Sequence, residues 1–221
     1  MTITGYLHPS YAESLREFGT PRELSFSKGW IIERQIPGFP FIDAMGCYPL
    51  FCCQEWNQLH RDLEELAGLV SLAVVTDPFG KFDESYLRLC FPDLVRPFKQ
   101  HYVIDLHLDP ERFVAKSHRK AASRALRKLR VEESENPGKM VDTWINLFNI
   151  LIEKHKIRGI SAFSRDSFYM QFEVPGIIAY QVIDDQNQTV GMELEFIQGD
   201  IAYAHLASFT PAGYRLGASY A

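Results

Sequence analysis

The sequence predicts a mixed α/β protein in which a mainly antiparallel sheet is flanked by helices. Three short apolar segments, 176–183, 189–197 and 200–207, follow one another closely and are separated by hairpin-type turns at 184–188 and 198–199. A longer segment before them repeats its apolar residues at helical spacing, at Trp144, Leu147, Phe148, Leu151 and Ile152. With 46% hydrophobic residues in 221, the chain is long and apolar enough to bury a core.

Composition also excludes several classes of protein. The most apolar run, 66–76, ends at Asp77 and is much shorter than the ~20 residues that a membrane-spanning helix needs. The N-terminal residues lack the basic start and apolar core of a secretory signal, so we expect a cytoplasmic protein. The four cysteines form no disulfide framework, and vicinal Cys52 and Cys53 are interpreted as small core residues. No metal is predicted, because no cluster of His, Cys and carboxylate residues has metal-ligand spacing.

The charge of the chain is concentrated in one segment. Residues 112–130 contain eight Lys and Arg residues and no acidic residue. The formal net charge of −5 becomes −13 when this segment is set aside. A general nucleic-acid-binding domain is basic as a whole, so this distribution favours a protein with a single site for an anion.

The first half of the chain, 1–108, contains a strand, an extended piece, a helix and a second strand in that order. Alternating apolar residues predict strands at 30–35 and 42–48, and a helix follows at 54–67. Gly68 ends that helix, and the apolar run 69–75 has strand character. Further along, a weaker helix is predicted at 84–89 and a strand at 101–106.

The second half, 109–221, opens with a strong helix start. Asp109 is a good N-cap, Pro110 suits the first helical position, and Glu111 lies in the first turn. The helix is expected to continue to Leu129, followed by a short strand at 130–134 and a break at 136–138. The long helix at 141–156, a short helix at 165–172 and the three closing strands complete the half.

This order of elements resembles the first half of the GNAT acyltransferase fold, and three motifs extend the resemblance to FemAB-like proteins of that superfamily. Residues 117–126, SHRKAASRAL, are similar to the basic helix that opens their acyltransferase domain. Residues 190–194, VGMEL, are similar to one of their strands, and 207–218, ASFTPAGYRLGA, to the loop that leads into their cofactor helix. The resemblance is strongest over 109–221, and it implies that 1–108 forms a second, partial GNAT-like unit.

The resemblance implies an acyl transfer from acyl-CoA, the donor substrate, to an amine acceptor. The chain ends at Ala221, where the helix that cradles the cofactor is expected only to begin. Three explanations stay open: the chain is a piece of a longer protein, the first half supplies the missing elements, or catalysis has been lost. In the last case the chain is a degenerate FemAB-like unit that acts as a binding protein.

The residues at 213–218 are the candidate pyrophosphate loop that the resemblance implies. The loop keeps a basic residue, two glycines and a small residue before the expected helix, but after the basic residue it has only Gly217 where the full pattern has two closely spaced glycines. The other interpretation is that its glycines only allow tight turns. The candidate cofactor-binding residues are Gly213, Arg215, Leu216, Gly217 and Ala218.

The candidate general base is a carboxylate on the second of the three closing strands. If Gln198 and Gly199 form the turn, Glu193 lies opposite Ala204 and Glu195 opposite Ala202, so that two carboxylates stand over small side chains. Such an acidic floor suits an incoming amine, although a solvated strand face would have the same pattern. His205, on the opposite, apolar face, is the second candidate base and is otherwise a core histidine.

Two further expectations concern Tyr214 and the basic helix. Tyr214 is the candidate acid that protonates the leaving thiolate. The basic segment is expected to bind phosphates, either of a cofactor or of the transfer RNA that Fem-type aminoacyltransferases use as donor, unless it is only a solvated face. An unfinished sheet edge would also favour a homodimer.

Overall fold

The computed structural model describes residues 2–221 and divides them into two compact units. The first unit runs to His101 and also includes Phe163–Pro175, whereas the second comprises Tyr102–Ala162 and Gly176–Ala221. The predicted division between 108 and 109 therefore differs from the observed one, chiefly because 163–175 returns to the first unit. The ring of Phe163 lies 6.4 Å from that of Phe18 and 5.9 Å from that of Tyr48, which holds this segment there.

The first unit contains a four-stranded sheet, three helices in the segment up to His101 and a fourth helix in 163–175. Strands β1, β2 and β3 pair in an antiparallel manner and β4 pairs with β3 in a parallel manner. The strands predicted at 30–35, 42–48 and 69–75 and the helices at 54–67 and 84–89 are present, several of them shorter than expected. Their bounds are α1 Pro9–Glu13, β1 Thr20–Glu23, β2 Trp30–Gln35, β3 Ile42–Gly46, α2 Leu59–Glu65, β4 Leu69–Ala73 and α3 Glu84–Cys90.

The core of the first unit contains the cysteines. Phe51 and Trp56 pack edge to face at 5.6 Å between ring centroids, with Ile31 and Leu59 in the same cluster. All four cysteines are buried and none forms a disulfide bond within residues 2–221, which confirms Cys52 and Cys53 as core residues.

The strand predicted at 101–106 is absent. These residues have no regular structure, and Tyr102 and Leu106 are 96% and 81% exposed. A strand pattern alone does not make a strand, because the backbone hydrogen bonds need a neighbouring strand. Within residues 2–221 no strand pairs with this segment.

The second unit contains an antiparallel four-stranded sheet in the order β5-β6-β7-β8. The predicted long helix at 141–156 and the three closing strands are confirmed, and so is the short helix at 165–172, which belongs to the first unit. The remaining bounds are α4 Lys116–Ala125, β5 Leu129–Glu133, α5 Val141–His155, α6 Arg165–Gln171, β6 Ile177–Asp184, β7 Thr189–Gln198, β8 Ile201–Phe209 and α7 Pro211–Leu216.

The single helix predicted from Asp109 to Leu129 is wrong. Asp109 does cap a helical turn, by accepting the N–H of Glu111, but that turn covers only Pro110–Arg112. Ala115 then has extended backbone, and α4 begins at Lys116. Leu129 enters β5, where it pairs with Asp184, because strand pairing and burial satisfy its backbone and side chain better than a longer helix would.

Helices cover both faces of the second sheet. On one face α5 packs against β8, and the buried Ser208 hydroxyl donates a 2.7 Å hydrogen bond to the Leu147 carbonyl. On the other face a buried cluster joins the end of α4 to strands β5, β6 and β7 and to the C-terminal segment. Its buried members are Ala125, Leu129, Val182, Val190 and Ala218.

The predicted partners across β7 and β8 are wrong, although the predicted faces are right. The turn consists of Gly199 and Asp200, so Gln198 pairs with Ile201. Gly199 has a φ of 65°, which a glycine adopts without a steric penalty. The register then shifts between Leu194 and Glu195.

Among residues 2–221, no helix combines the length and the apolar character needed to cross a membrane.

Candidate functional site

An open cleft of about 400 Å³ lies between the end of α4 and the C-terminal residues of the second unit. It brings together the predicted basic segment and the predicted cofactor residues, which are more than eighty residues apart in the sequence. Arg215, Leu216 and Gly217 line the cleft, whereas Gly213 and Ala218 are buried close by. The aromatic lining consists of Tyr214 and Tyr220.

The cleft is strongly cationic. Its charged lining consists of Arg124, Arg127, Lys128 and Arg215, with no acidic residue. None of these four takes part in an ion pair within the described chain, residues 2–221. Elsewhere in the basic segment, Arg119 pairs with Glu111 at 3.0 Å and Arg130 pairs with Glu132. Unpaired like charges repel one another, so this cleft favours an anion.

The predicted pyrophosphate loop is for the most part helix. Residues 213–216 belong to α7, and Gly217 ends that helix in the left-handed region with a φ of 80°. Gly217 is therefore a helix-ending glycine, as the second interpretation of these glycines predicted, because this backbone conformation favours a residue without a Cβ atom. The predicted loop conformation is wrong because Thr210 and Pro211 start a helix: the Thr210 hydroxyl accepts the Gly213 N–H at 2.9 Å. Cofactor binding by these residues stays a prediction.

Gly213 allows α7 to lie directly against β7. A Cβ atom at this position would overlap the carbonyl oxygen of Val190. Because a backbone atom cannot rotate away, only glycine fits without displacing the helix. This contact sets the position of Tyr214 and Arg215 at the edge of the cleft.

We therefore expect Gly213→Ala to lower the free energy of unfolding by about 1–3 kcal/mol, the usual cost of overpacking. Since α7 must move to relieve the overlap, anion binding in the cleft should weaken as well. Denaturant unfolding and a pyrophosphate titration measure the two effects. Ser219→Ala, at an exposed position nearby, is the control; equal stability of the two variants would contradict the close contact.

The two candidate bases lie on the sheet face that carries small side chains in β8. Glu193 pairs with Ala207 and Glu195 with Ala204, in place of the predicted Ala204 and Ala202. On the other side, Glu193 pairs with Tyr180 of β6, which also pairs with Glu133 of β5. Glu133 could not be recognised from the sequence as part of this face, because its position beside Tyr180 follows from the β5–β6 register.

The electrostatics of this acidic floor favour proton binding. Burial raises the pKa of the Glu193 carboxyl group, and the charge of Glu195 raises it further. Burial likewise raises the pKa of Glu195, with a contribution from Glu133. The pKa of Tyr180 is raised by burial first and then by the three neighbouring carboxylates. A carboxylate with a raised pKa is a stronger base than an ordinary surface glutamate.

The acidic floor and the cationic cleft lie on the same face of the second sheet. Tyr180 and Val182 are two residues apart on β6 and therefore point to the same side. Val182 belongs to the buried cluster beneath α4, and Tyr180 lies directly opposite Glu193. Val182 pairs with Gly191 of β7, and Glu193 is two residues further along that strand. The backbone positions of Gly191 and Glu193 are therefore about 7 Å apart.

His205 lies on the opposite face. Its ring is buried on the α5 side and lies 4.9 Å from the ring of Phe196. Burial lowers the pKa of His205 from 6.5 to about 3, so the imidazole is neutral in the folded protein at ordinary pH. This placement separates His205 from Glu193 and Glu195.

Tyr214, the candidate acid, lies at the cleft in contact with a cation. The Lys154 ammonium lies 3.9 Å from the centre of the Tyr214 ring, and the ring of Phe209 is 5.5 Å away. These contacts hold the ring from two sides. The Tyr214 side chain, which carries the hydroxyl group, lines the cleft.

A second cleft, of about 640 Å³, lies within the first unit and was not predicted. Its lining is mixed in charge, with Arg16, Glu17 and Asp166 among several serine and threonine residues. Glu17 accepts a hydrogen bond from the Ser164 N–H at 3.0 Å, so part of its polar lining is already paired. It carries no concentrated charge of one sign.

No model of a known protein family matches the chain, and no curated protein matches it. Within residues 2–221, no group of three or more His, Cys, Asp or Glu side chains is arranged to hold a metal ion.

Proposed function

We propose that this chain is a GNAT-type acyltransferase that moves an acyl group from acyl-CoA to an amine, with Glu193 or Glu195 as the general base. One observation carries the proposal: a cation-lined cleft and a pair of carboxylates with raised pKa share one face of the β5–β8 sheet. A phosphorylated donor needs the first feature and an amine acceptor needs the second.

The order of elements supports the GNAT assignment. Strand β5, helices α5 and α6, and antiparallel strands β6, β7 and β8 follow one another as the resemblance implies. The register shift at Leu194 and Glu195 lies beside the carboxylates. Such an irregularity releases backbone groups from the ladder, and the proposal places the thioester carbonyl there, where a backbone N–H would polarise it.

The chemical steps follow from these positions. The acceptor arrives as an ammonium ion and gives one proton to the carboxylate of Glu193 or Glu195. The free amine then attacks the thioester carbonyl, so that a C–N bond forms and the C–S bond breaks. The leaving thiolate takes a proton from the Tyr214 hydroxyl, and the attached nitrogen gives up its second proton, which restores the Tyr214 hydroxyl and leaves a neutral amide and a free thiol. His205 has no part in this scheme, because it lies on the other face of the sheet.

A thermal-shift titration with coenzyme A, acetyl-CoA and longer acyl-CoAs tests the donor class. A ligand at 100 times its dissociation constant stabilises the folded state by about 2.7 kcal/mol, which is about 5–10 °C for a chain of this size. Pantetheine, which lacks the phosphates, is the control ligand and should produce a much smaller shift. If no thioester shifts the midpoint, the donor assignment is wrong.

The alternative donor, aminoacyl-tRNA, has less support from the arrangement of side chains. Recognition of single-stranded RNA relies on aromatic side chains on which bases stack. The basic segment 112–130 contains one aromatic residue, Phe113. The cations of the cleft line a volume of about 400 Å³, which suits a small molecule better than an RNA strand. RNA binding that is lost steeply as salt rises, without any response to acyl-CoA, would favour this alternative. If the bound RNA donates no aminoacyl group, the same result would favour a non-catalytic binding protein.

A further inference from the structure

We infer that the cationic cleft holds the phosphates of a nucleotide through the side chains of Arg124, Arg127, Lys128 and Arg215, and that the backbone amides of 213–217 take no part. The inference deepens the proposed function and rests on it for the identity of the donor, a nucleotide thioester. It differs from the loop-based binding that the resemblance implies.

The backbone amides of the C-terminal segment are already paired. The Gly213 N–H donates to the Thr210 hydroxyl, and the Tyr214 N–H donates to the Thr210 carbonyl at 3.0 Å. The Gly217 N–H donates to the Tyr214 carbonyl at 3.2 Å. A phosphate would have to break these bonds. Helix α7 has only six residues, so its dipole offers little in exchange.

The side chains of the cleft provide what the amides do not. Arg124 lies in the last turn of α4, Arg127 and Lys128 lie in the turn that follows it, and Arg215 reaches the same cleft from α7. The planar guanidinium group binds two phosphate oxygens at once, and three of the four cations are arginines. With no acidic side chain in the lining and no ion pair made by these four within residues 2–221, their charge is available to a ligand.

The size and the aromatic rim favour a nucleotide over an isolated phosphate. About 400 Å³ is within the usual range for small-molecule sites. The lining includes the ring of Tyr220, which is about half exposed and lies 5.9 Å from the ring of His118. An exposed aromatic ring beside cations suits a base attached to phosphates.

Calorimetric titration with adenosine 3′,5′-bisphosphate and with inorganic pyrophosphate tests the inference. Arg124→Gln, Arg127→Gln and Arg215→Gln each remove one charge and should weaken both ligands about ten- to hundredfold, because each removes charge-assisted hydrogen bonds. The control is Arg158→Gln, which makes the same charge change at an exposed position of the same unit outside the cleft. Circular dichroism verifies that the variants remain folded.

The outcomes separate this inference from the proposed function. Equal affinities for the wild type, the three cleft variants and the control overturn the inference, as does a lack of binding by both probes. If the cleft variants lose the probes but the wild type transfers no acyl group, the phosphate site stands and the acyltransferase does not. If acyl-CoA is turned over equally by all variants, the acyltransferase stands and the donor phosphates lie elsewhere.

Discussion

Replacing both Glu193 and Glu195 with glutamine is expected to lower the rate of acyl transfer about 10²- to 10⁴-fold, the usual contribution of general base catalysis. Glutamine keeps the shape of the side chain but cannot accept the proton of the ammonium ion. The fold should be unaffected, because both positions lie on the partly exposed face of the sheet and form no ion pair within residues 2–221. Steady-state rates with acetyl-CoA and a panel of amines measure the effect.

The pH dependence provides an independent test of the same base. Because burial raises the pKa of both carboxyl groups, activity should increase with pH through a value above the ordinary 4.5 of a glutamate. Single variants assign the role to one residue, and Glu153→Gln on the exposed part of α5 is the control. Glu133→Gln should shift the profile to lower pH, since it removes a charge that raises the pKa of Glu195. Full activity in the double variant would place the base elsewhere.

The folded protein should lose stability as the pH falls from about 6.5, in large part through His205. Burial lowers the pKa of this histidine to about 3, so between these values the unfolded chain binds a proton that the folded chain does not. Protonation therefore stabilises the unfolded state, and the loss by pH 3 is about 3–6 kcal/mol. Urea unfolding at a series of pH values measures it.

Glu193 and Glu195 act in the opposite direction. Their raised pKa values mean that the folded state binds more protons than the unfolded state above pH 4.5, so their contribution to stability falls as the pH rises through that range. His205→Gln separates the two effects because it removes only the imidazole. Its stability should depend less on pH than that of the wild type, whereas the exposed His155→Gln should keep the wild-type slope. An unchanged slope in His205→Gln would show that the imidazole does not control acid unfolding.

Local patterns in the sequence predicted most of the second unit. The helical spacing of Trp144, Leu147 and Phe148 defines a face that is buried in the structure. In β7 the alternation of Met192, Leu194 and Phe196 with Glu193 and Glu195 placed each set on its correct face. The faces were right despite the error in register, because the alternation of side chains along β7 does not depend on which β8 residues lie opposite. The turn moved by one residue, and the register shifts once more between Leu194 and Glu195.

The arrangement of the candidate site was harder to predict than the strands and helices, because it depends on contacts between residues far apart in the sequence. The sequence showed a cluster of cations at 112–130 and a set of small and basic residues at 213–218, but not that they line one cleft. The loop conformation predicted for this segment is wrong over 213–216, because Thr210 caps a helix there by accepting the Gly213 N–H; phosphate binding by the segment stays a prediction. Glu133 joined the acidic floor only through the β5–β6 register.

By itself, then, the sequence determined the mixed fold class, the long helix α5, the three closing strands and the face on which each candidate base lies, because side-chain periodicity is a property of neighbouring residues. The tertiary structure alone decided that 101–106 is not a strand, that the basic helix ends before Leu129, and that four cations meet at one cleft. Each of these outcomes requires a partner strand or a buried surface. Residues far apart in the chain form that strand or surface, so neighbouring residues alone do not determine it.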